Sequence, residues 1–239
     1  MLKPLIKRAL RSCGFDLKRY APASSEGARL MAMLRAQQIN TIFDVGANEG
    51  QFGAMLREEG YQGRIVSFEP LSSAWGKLNA RAHKDPLWEV APRGAIGSTD
   101  GEIELHIAGN SASSSALDML PAHLTAAPES AYVGTELAPL RRLDTFVREY
   151  LREDSILLIK VDTQGYESEV LKGAQELINS AAGLHLELSL VPLYQGQVLY
   201  EAMIDMVNAA GFEMWAFTPG FMDPHTGRLL QADGTFFRR

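Results

Sequence analysis

The first residues that could do chemistry form a turn with the sequence FDVGANEG at positions 43–50. An apolar run leads into Asp44, and the glycines of the turn would let the backbone approach a ligand closely. A dinucleotide site needs glycines at the first, third and sixth positions of its turn, but Asn48 and Gln51 stand at two of these. The Gly-Lys pair of a phosphate-binding loop is also missing. The turn therefore suits a nucleoside without a pyrophosphate.

The second predicted strand ends in SFEP and places Glu69 at the same edge of a parallel sheet as the turn. A carboxylate there can accept hydrogen bonds from ribose hydroxyls. S-adenosylmethionine carries adenosine, a sulfonium cation and an amino acid, but no phosphate. The acidic residues Asp44, Glu49 and Glu69 predict a rim of matching charge. We therefore expect this chain to bind S-adenosylmethionine and not NAD.

Two later acidic residues are predicted at the same edge of the sheet. The run ILLIKVD ends at Asp162, and LHLELS carries Glu187 on the next predicted strand. A carboxylate beside a bound nucleoside cofactor could act as a base that takes a proton from a substrate. Asp162 and Glu187 are therefore candidate catalytic residues, and His123 is an alternative base. Asp162 also precedes a predicted helix, so it could instead cap that helix.

Other functions stay open at this point. Two neighbouring carboxylates could hold Mg²⁺ for a metal-dependent transfer to a small molecule, because Mg²⁺ prefers oxygen ligands. Only two acids are well placed, so no metal ligands are assigned. A protein with this turn could also be a non-catalytic binding module. The net charge of −6 argues against nucleic acid as the main partner.

Strand-like and helical patterns alternate from residue 41 onward, and this predicts a doubly wound α/β fold with a mostly parallel sheet. Strands are predicted at 41–45, 64–69, 88–96, 102–108, 156–162, 184–190, 212–217 and 234–239. Helices are predicted at 28–37, 50–59, 72–83, 144–152, 167–181 and 197–210. These elements form one predicted domain, residues 28–239.

Two segments depart from the alternation. Residues 109–134 are rich in Ser, Ala and Pro, and we interpret this lid segment as a cover on the substrate side of the site. Residues 1–27 form a basic amphipathic helix followed by a linker. We expect the helix, residues 1–20, to pack on the body of the protein. Peripheral contact with an anionic membrane is the alternative.

The composition is that of an ordinary globular protein, with 239 residues of which 46% are hydrophobic. Cys13 is the single cysteine, which excludes an intrachain disulfide and fits a cytoplasmic location. No apolar run is long enough to cross a bilayer, and we identify no signal peptide. A homo-oligomer is compatible with the sequence.

The motifs DVGANEGQF, SFEP and IKVDTQGYE resemble those of the FkbM family of S-adenosylmethionine-dependent methyltransferases, and the resemblance extends over about residues 40–239. It implies a Rossmann-like sheet of seven strands in the order 3-2-1-4-5-7-6, with the seventh strand antiparallel. It also implies O-methylation of a hydroxyl on a sugar, glycan or secondary metabolite. The cofactor residues that it implies are Asp44, Gly46, Ala47, Asn48, Gly50, Glu69, Pro70 and, in RGAIG after the third strand, Ala95.

Overall fold

The computed structural model describes residues 7, 8 and 10–239. Its strands are β1 (Thr41–Val45), β2 (Arg64–Phe68), β3 (Trp88–Val90), β4 (Ala95–Ile96), β5 (Gly101–Ala108), β6 (Tyr132–Arg141), β7 (Leu157–Val161), β8 (Gly183–Ser189), β9 (Phe212–Pro219) and β10 (Gln231–Arg238). The main sheet has seven strands in the order β3-β2-β1-β7-β8-β10-β9. β10 runs antiparallel to both neighbours, whereas the pairs from β3 to β8 are parallel. The predicted fold class and strand order are confirmed.

Among the helices with both ends within the described residues, one precedes β1, one lies in the lid segment, and the others lie between strands. They are α1 (Glu26–Ala36), α2 (Gln51–Glu58), α3 (Ser72–Ala82), α4 (Pro121–Ala126), α5 (Leu143–Phe146), α6 (Glu167–Lys172), α7 (Gln175–Ser180) and α8 (Tyr200–Ala209). The predicted helix at 167–181 divides at Gly173, where a side chain would lie 1.9 Å from the carbonyl oxygen of Gly97. The predicted helix at 144–152 is only the short α5 and a 3-10 turn.

A second, three-stranded sheet has the order β4-β6-β5 and was not predicted. The predicted strand at 88–96 is wrong as a single strand, because it divides into β3 in the main sheet and β4 in the small one. Pro92 lies between the two parts and cannot donate a ladder hydrogen bond. β6 begins inside the lid segment and continues beyond it, and Gly134 and Pro139 within β6 weaken the strand pattern in the sequence.

The central strands β1, β2 and β7 are buried along their whole length, because helices cover both faces of the sheet. Side chains alternate between the faces, so Phe43 and Ile159 pack in one core cluster while Ile42 and Leu158 pack in the other. Asp44 and Lys160 follow Ile42 and Leu158 on the same face. The pleat therefore brings two charged side chains together at the carboxyl end of the sheet.

The described N-terminal residues contain a shorter helix than predicted, and the packing of that helix stays a prediction. Leu2, Leu5, Ile6 and Ala9 of the predicted helix lie outside the described residues. Residues 7, 8 and 10–12 are helical, residues 13–20 contain no helix, and residues 11–20 are all exposed. Within the described residues, no helix is long and apolar enough to span a membrane.

Candidate active site

The turn between β1 and α2 needs glycine for steric reasons. Gly46 has a φ of +74°, and a Cβ atom there would lie 1.8 Å from the carbonyl oxygen of Asp162. Gly50 has a φ of +83° and begins α2, but a Cβ atom there would meet Leu78 at 2.9 Å. Gly46 lines the cavity. Gly50 does not line it and is needed for packing against Leu78.

Glu69 follows β2 and is held by two backbone groups of different segments. Asn48 N–H donates to Oε2 at 2.8 Å, and Leu71 N–H donates to Oε1 at 2.9 Å. Burial raises the pKa of Glu69 to about 7, although these N–H groups partly offset the effect. Glu69 lines the cavity, so its remaining lone pairs can accept hydrogen bonds from a ligand.

The predicted acidic rim of Asp44, Glu49 and Glu69 is corrected by the structure. Asp44 is buried, and its Oδ1 lies 3.0 Å from Lys160 Nζ. Glu49 forms an ion pair with Lys77 at 2.6 Å. Neither side chain lines the cavity, because each is occupied by a lysine elsewhere. Asp44 thus supports the turn from behind and does not line the cavity.

Lys160 was missed by the sequence analysis, although a lysine inside an apolar strand was a visible signal. Its Nζ donates to the carbonyl oxygen of Gly46 at 3.0 Å and lies 3.6 Å from Asp162 Oδ2. Burial alone would lower the pKa of Lys160, but Asp44 and Asp162 outweigh burial and raise it. The ammonium group thus joins the turn after β1 to the end of β7.

These elements enclose a cavity of about 270 Å³ at the carboxyl edge of the sheet. Among the described residues, Glu69 and Asp162 are its acidic lining residues. The predicted cofactor residues that line it are Gly46, Ala47, Asn48, Glu69, Pro70 and Ala95. The lid segment contributes Ser111, Ala112, Ser114, Ser115 and Ala116. The lid segment therefore touches the same space as the predicted cofactor residues.

Asp162 is placed at the cavity by β7 and is fixed by an amide side chain. Gln164 Nε2 donates to Asp162 Oδ1 at 2.8 Å and to both carboxyl oxygens of Glu187 at 3.0 Å. The Asp162 side chain is 37% exposed and lines the cavity, whereas Glu187 does not line it. Gln164 therefore joins the two predicted catalytic carboxyl groups, only one of which reaches the cavity.

Burial raises the pKa of Glu187 well above its ordinary value, and the charge of Asp162 adds to the rise. Burial therefore favours the protonated form of Glu187. Asp233 lies opposite Glu187 on β10, and burial raises its pKa to about 6. Glu187 and Asp233 thus have pKa values raised by burial and do not line the cavity, whereas Asp162 lines it.

The alternative role of Asp162 as a helix cap is not supported by the contacts. The turn that precedes α6 is held by Glu167, whose Oε1 accepts from Thr163 N–H at 2.8 Å and from Gly165 N–H at 3.1 Å. The first turn of α6 has no side-chain cap from residues outside it. Asp162 is therefore available for a ligand.

Gln164 also connects Asp162 to the lid segment. Tyr194 O–H donates to Gln164 Oε1 at 2.8 Å and lies 3.1 Å from the carbonyl oxygen of Ser113. Ser115 Oγ donates to the carbonyl oxygen of Gln164 at 2.7 Å. On the other side of the cavity, Ser111 Oγ donates to Asn48 Oδ1 at 3.2 Å. The lid segment is thus bonded to both ends of the cavity.

The structure places His123 away from the cavity. It is buried on α4, with ring centroids 5.2 Å from Tyr194 and 5.1 Å from Phe221, and it does not line the cavity. Burial lowers the pKa of His123 below its ordinary value. His185 is half-buried on β8, and desolvation lowers its pKa to about 4. Neither histidine lines the cavity, whereas Asp162 does.

The residues present fit S-adenosylmethionine. Asn48 Nδ2 is buried at the cavity and has no hydrogen-bond partner among the described residues. This donor and the Glu69 carboxyl group offer one hydrogen-bond donor and one acceptor to a polar ligand. Apolar side chains such as Ile96 and Leu105 supply the wall for a base. In residues 7, 8 and 10–239, no group of three or more acidic, His or Cys side chains is arranged for a metal ion.

The chain is similar to two solved structures. The methyltransferase domain described as bacterial-CtHen1-C has a TM-score of 0.50 and 8% identity, covering 89% of this chain and 96% of that chain. TehB from Haemophilus influenzae has a TM-score of 0.48 and 9% identity, and it covers 88% of this chain. This chain spans 62% of the TehB chain. At such low identity the first likeness concerns the fold alone.

Comparisons of sequence identify the family. The family model described as the Methyltransferase FkbM domain matches residues 44–214. The 2-O-methyltransferase NoeI of Sinorhizobium fredii (strain NBRC 101917 / NGR234) is 28% identical over 189 residues, which cover 74% of each chain. The matched region includes the turn after β1, Glu69, Asp162 and Gln164. The chain belongs to the FkbM family of S-adenosylmethionine-dependent methyltransferases.

Proposed function

We propose that the chain transfers the methyl group of S-adenosylmethionine to a hydroxyl oxygen of a sugar, glycan or secondary metabolite, with Asp162 as the general base. The position of Asp162 carries this proposal, because it lies at the cavity between β7 and the turn after β1. The similarity to the 2-O-methyltransferase NoeI favours oxygen as the acceptor atom. The acceptor is a small molecule or a glycan.

The cofactor contacts follow from the groups that face the cavity. Glu69 would accept hydrogen bonds from ribose hydroxyls, because both of its oxygens keep free lone pairs beside the backbone donors. Asn48 Nδ2 would donate to a polar atom of the cofactor. Gly46 and Ala47 let the cofactor approach the backbone, and Pro70 and Ala95 contribute apolar lining.

When bound, S-adenosylmethionine supplies an electrophilic methyl group, and the electrons of the broken C–S bond stay on sulfur in S-adenosylhomocysteine. Asp162 accepts the proton of the acceptor hydroxyl as its oxygen forms the new bond to carbon. The Asp162 side chain is partly exposed, so the proton can then pass to water. The apolar lining and the lid segment restrict water at the reacting oxygen.

Gln164 is the positioning residue for this base. Its Nε2 binds Asp162 Oδ1, while Asp162 Oδ2 lies 3.6 Å from Lys160 Nζ and keeps lone pairs that can accept a hydrogen bond from the substrate. Tyr194 fixes the other end of the same amide, so the amide cannot turn over without losing a bond. Glu187 is less suited to accept a proton from the substrate, because it lies on the far side of Gln164 from the cavity and burial favours its protonated form. The contacts therefore favour Asp162 over Glu187 as the base.

The proposal is tested by incubating the full chain with methyl-labelled S-adenosylmethionine and a panel of sugars, oligosaccharides and hydroxylated secondary metabolites. We expect S-adenosylhomocysteine to be released together with a methyl ether that mass spectrometry and NMR locate on oxygen. Methylation on nitrogen or on a carboxylate would contradict the proposal. Tight calorimetric binding of the cofactor without turnover on any acceptor would favour a non-catalytic module.

A further inference from the structure

The residues before α1 differ in charge from the rest of the chain. In the basic segment (residues 7–20), five cations stand against Asp16, although the whole chain has a net charge of −6. The cations are Lys7, Arg8, Arg11, Lys18 and Arg19. Arg11 Nε lies 3.0 Å from Asp16 Oδ1, and this contact lowers the pKa of Asp16. The acidic residue is thus neutralised internally, and the other cations form no ion pair among the described residues.

The basic segment also exposes large apolar side chains. Phe15 is 68% exposed, Leu17 is 52% exposed and Tyr20 is 65% exposed. Isolated exposed apolar residues are ordinary, but three within six positions, interleaved with cations, form a distinct surface. No core cluster of the described residues contains any of the three. These side chains therefore have apolar surface to bury against a partner.

The segment is joined to the body of the protein at its end. Tyr20 O–H donates to Glu59, and Ser24 Oγ donates to the carbonyl oxygen of Arg19 at 2.5 Å. Residues 15–19 form no helix or strand, so their backbone makes no ladder with the sheet. The described part of the segment is thus attached near residue 20 while its apolar and cationic side chains stay accessible.

We propose that the basic segment is a docking surface for an anionic lipid bilayer. Lys and Arg side chains are attracted to anionic headgroups, and aromatic and aliphatic side chains bury apolar area at the headgroup boundary. Phe15, Leu17 and Tyr20 favour a membrane over nucleic acid, because phosphate contacts alone would not use three exposed apolar side chains. This inference goes beyond the methyltransferase function and does not depend on it.

The experiment is co-sedimentation of the full chain with vesicles of phosphatidylcholine alone and with vesicles that also contain phosphatidylglycerol, at low and high salt. We expect binding to the anionic vesicles at low salt, weak binding to the neutral ones, and loss of binding at high salt. The double variant Lys18→Glu/Arg19→Glu should weaken binding by roughly 25-fold or more, since each cation near the surface contributes about a fivefold effect.

The apolar part has its own variant and a matched control. Phe15→Ser/Leu17→Ser should weaken binding to anionic vesicles while the salt dependence remains. Val133→Ser is the control, because Val133 is 72% exposed on β6, outside the basic segment, and should bind as the unchanged chain does. Equal binding to both vesicle types, no binding to either, or tighter binding to homopolymeric RNA than to anionic vesicles would each overturn the proposal.

Discussion

At the turn after β1, backbone N–H groups hold Glu69, whereas at the end of β7 a side-chain amide holds Asp162. The first arrangement lies where the paired strands β1 and β2 end. Gly46 and Ala47 also donate their N–H groups there to the carbonyl oxygen of Phe68, at 3.0 Å. The second arrangement joins Asp162 after β7, Glu187 on β8 and the loop that carries Tyr194 through the side chain of Gln164.

This difference separates cofactor binding from turnover. A change at Glu69 removes a carboxylate from a backbone-framed site, so we expect its main effect on cofactor affinity. A change at Asp162 or Gln164 leaves that frame intact, so we expect its main effect on the rate of the chemical step. The following predictions test this separation.

The largest effect is expected for Asp162→Asn, which keeps the shape and removes the base. Turnover should fall by about 10²–10⁴, the range typical of a positioned general base, while the affinity for S-adenosylhomocysteine stays within a few-fold. Steady-state rates and calorimetry measure the two quantities. Asp205→Asn, on the exposed face of α8, is the matched control and should leave both unchanged. Early thermal unfolding with near-normal turnover would instead assign Asp162 a structural role.

Glu69→Gln should act on affinity. Hydrogen bonds to a charged group contribute about 1.5–3 kcal/mol, so the dissociation constant for S-adenosylhomocysteine should rise roughly 10- to 150-fold. Turnover at saturating cofactor should change much less. Glu58→Gln, on the exposed end of α2, serves as the control. If the variant lost turnover at saturation while keeping its affinity, Glu69 would belong to the chemical step and the separation would fail.

Gln164→Met retains the length of the side chain but removes the donor to Asp162. We expect kcat to fall roughly 10- to 30-fold with little change in cofactor affinity, because the base remains but is no longer held in one orientation. The acid limb of the pH profile for kcat should also move, which a merely structural role would not produce. Gln62→Met, in an exposed turn, is the control. An unchanged kcat and pH profile would exclude the positioning role.

The pH dependence of affinity follows from Glu69. Its pKa is raised from 4.5 to about 7 in the free protein, and only the ionised group accepts two hydroxyl donors. Affinity for S-adenosylhomocysteine should therefore fall about tenfold between about pH 8 and about pH 6, and calorimetry of Glu69→Gln should show a flat profile in its place. The same raised pKa stabilises the free fold at low pH, and this contribution is lost as the pH rises through about 7.

The smallest effect is expected at His123. His123→Phe keeps an aromatic ring between Tyr194 and Phe221 and removes Nδ1, which has no hydrogen-bond partner among the described residues. Turnover should stay within about threefold, and thermal melting should not occur earlier, because a buried unpaired polar atom is destabilising. A loss of turnover as large as that of Asp162→Asn would instead indicate that His123 is the general base.

The nucleoside side of the site was more accessible to prediction than the acceptor side. Asn48 and Gln51 predicted from their positions in the chain that the turn does not hold a dinucleotide, and Glu69, which was predicted at this edge from the end of its strand, lines the cavity. Asp44 was expected at the same cavity, but it pairs with Lys160 behind the turn. A sequence shows where a strand ends, but the neighbouring strand decides which charges its side chains meet.

The order of most strands and helices along the chain could be determined from the sequence, because it depends on local periodicity. The absence of dinucleotide glycines could also be determined, because it depends on short spacings. The small sheet, the Lys160 pair and the bonds of Gln164 were decided by the tertiary structure. Gln164 meets Glu187 and Tyr194 across 23 and 30 positions of the chain. Such contacts arise only when β7 and β8 pair and the loop that carries Tyr194 packs against Gln164, and no local pattern encodes them.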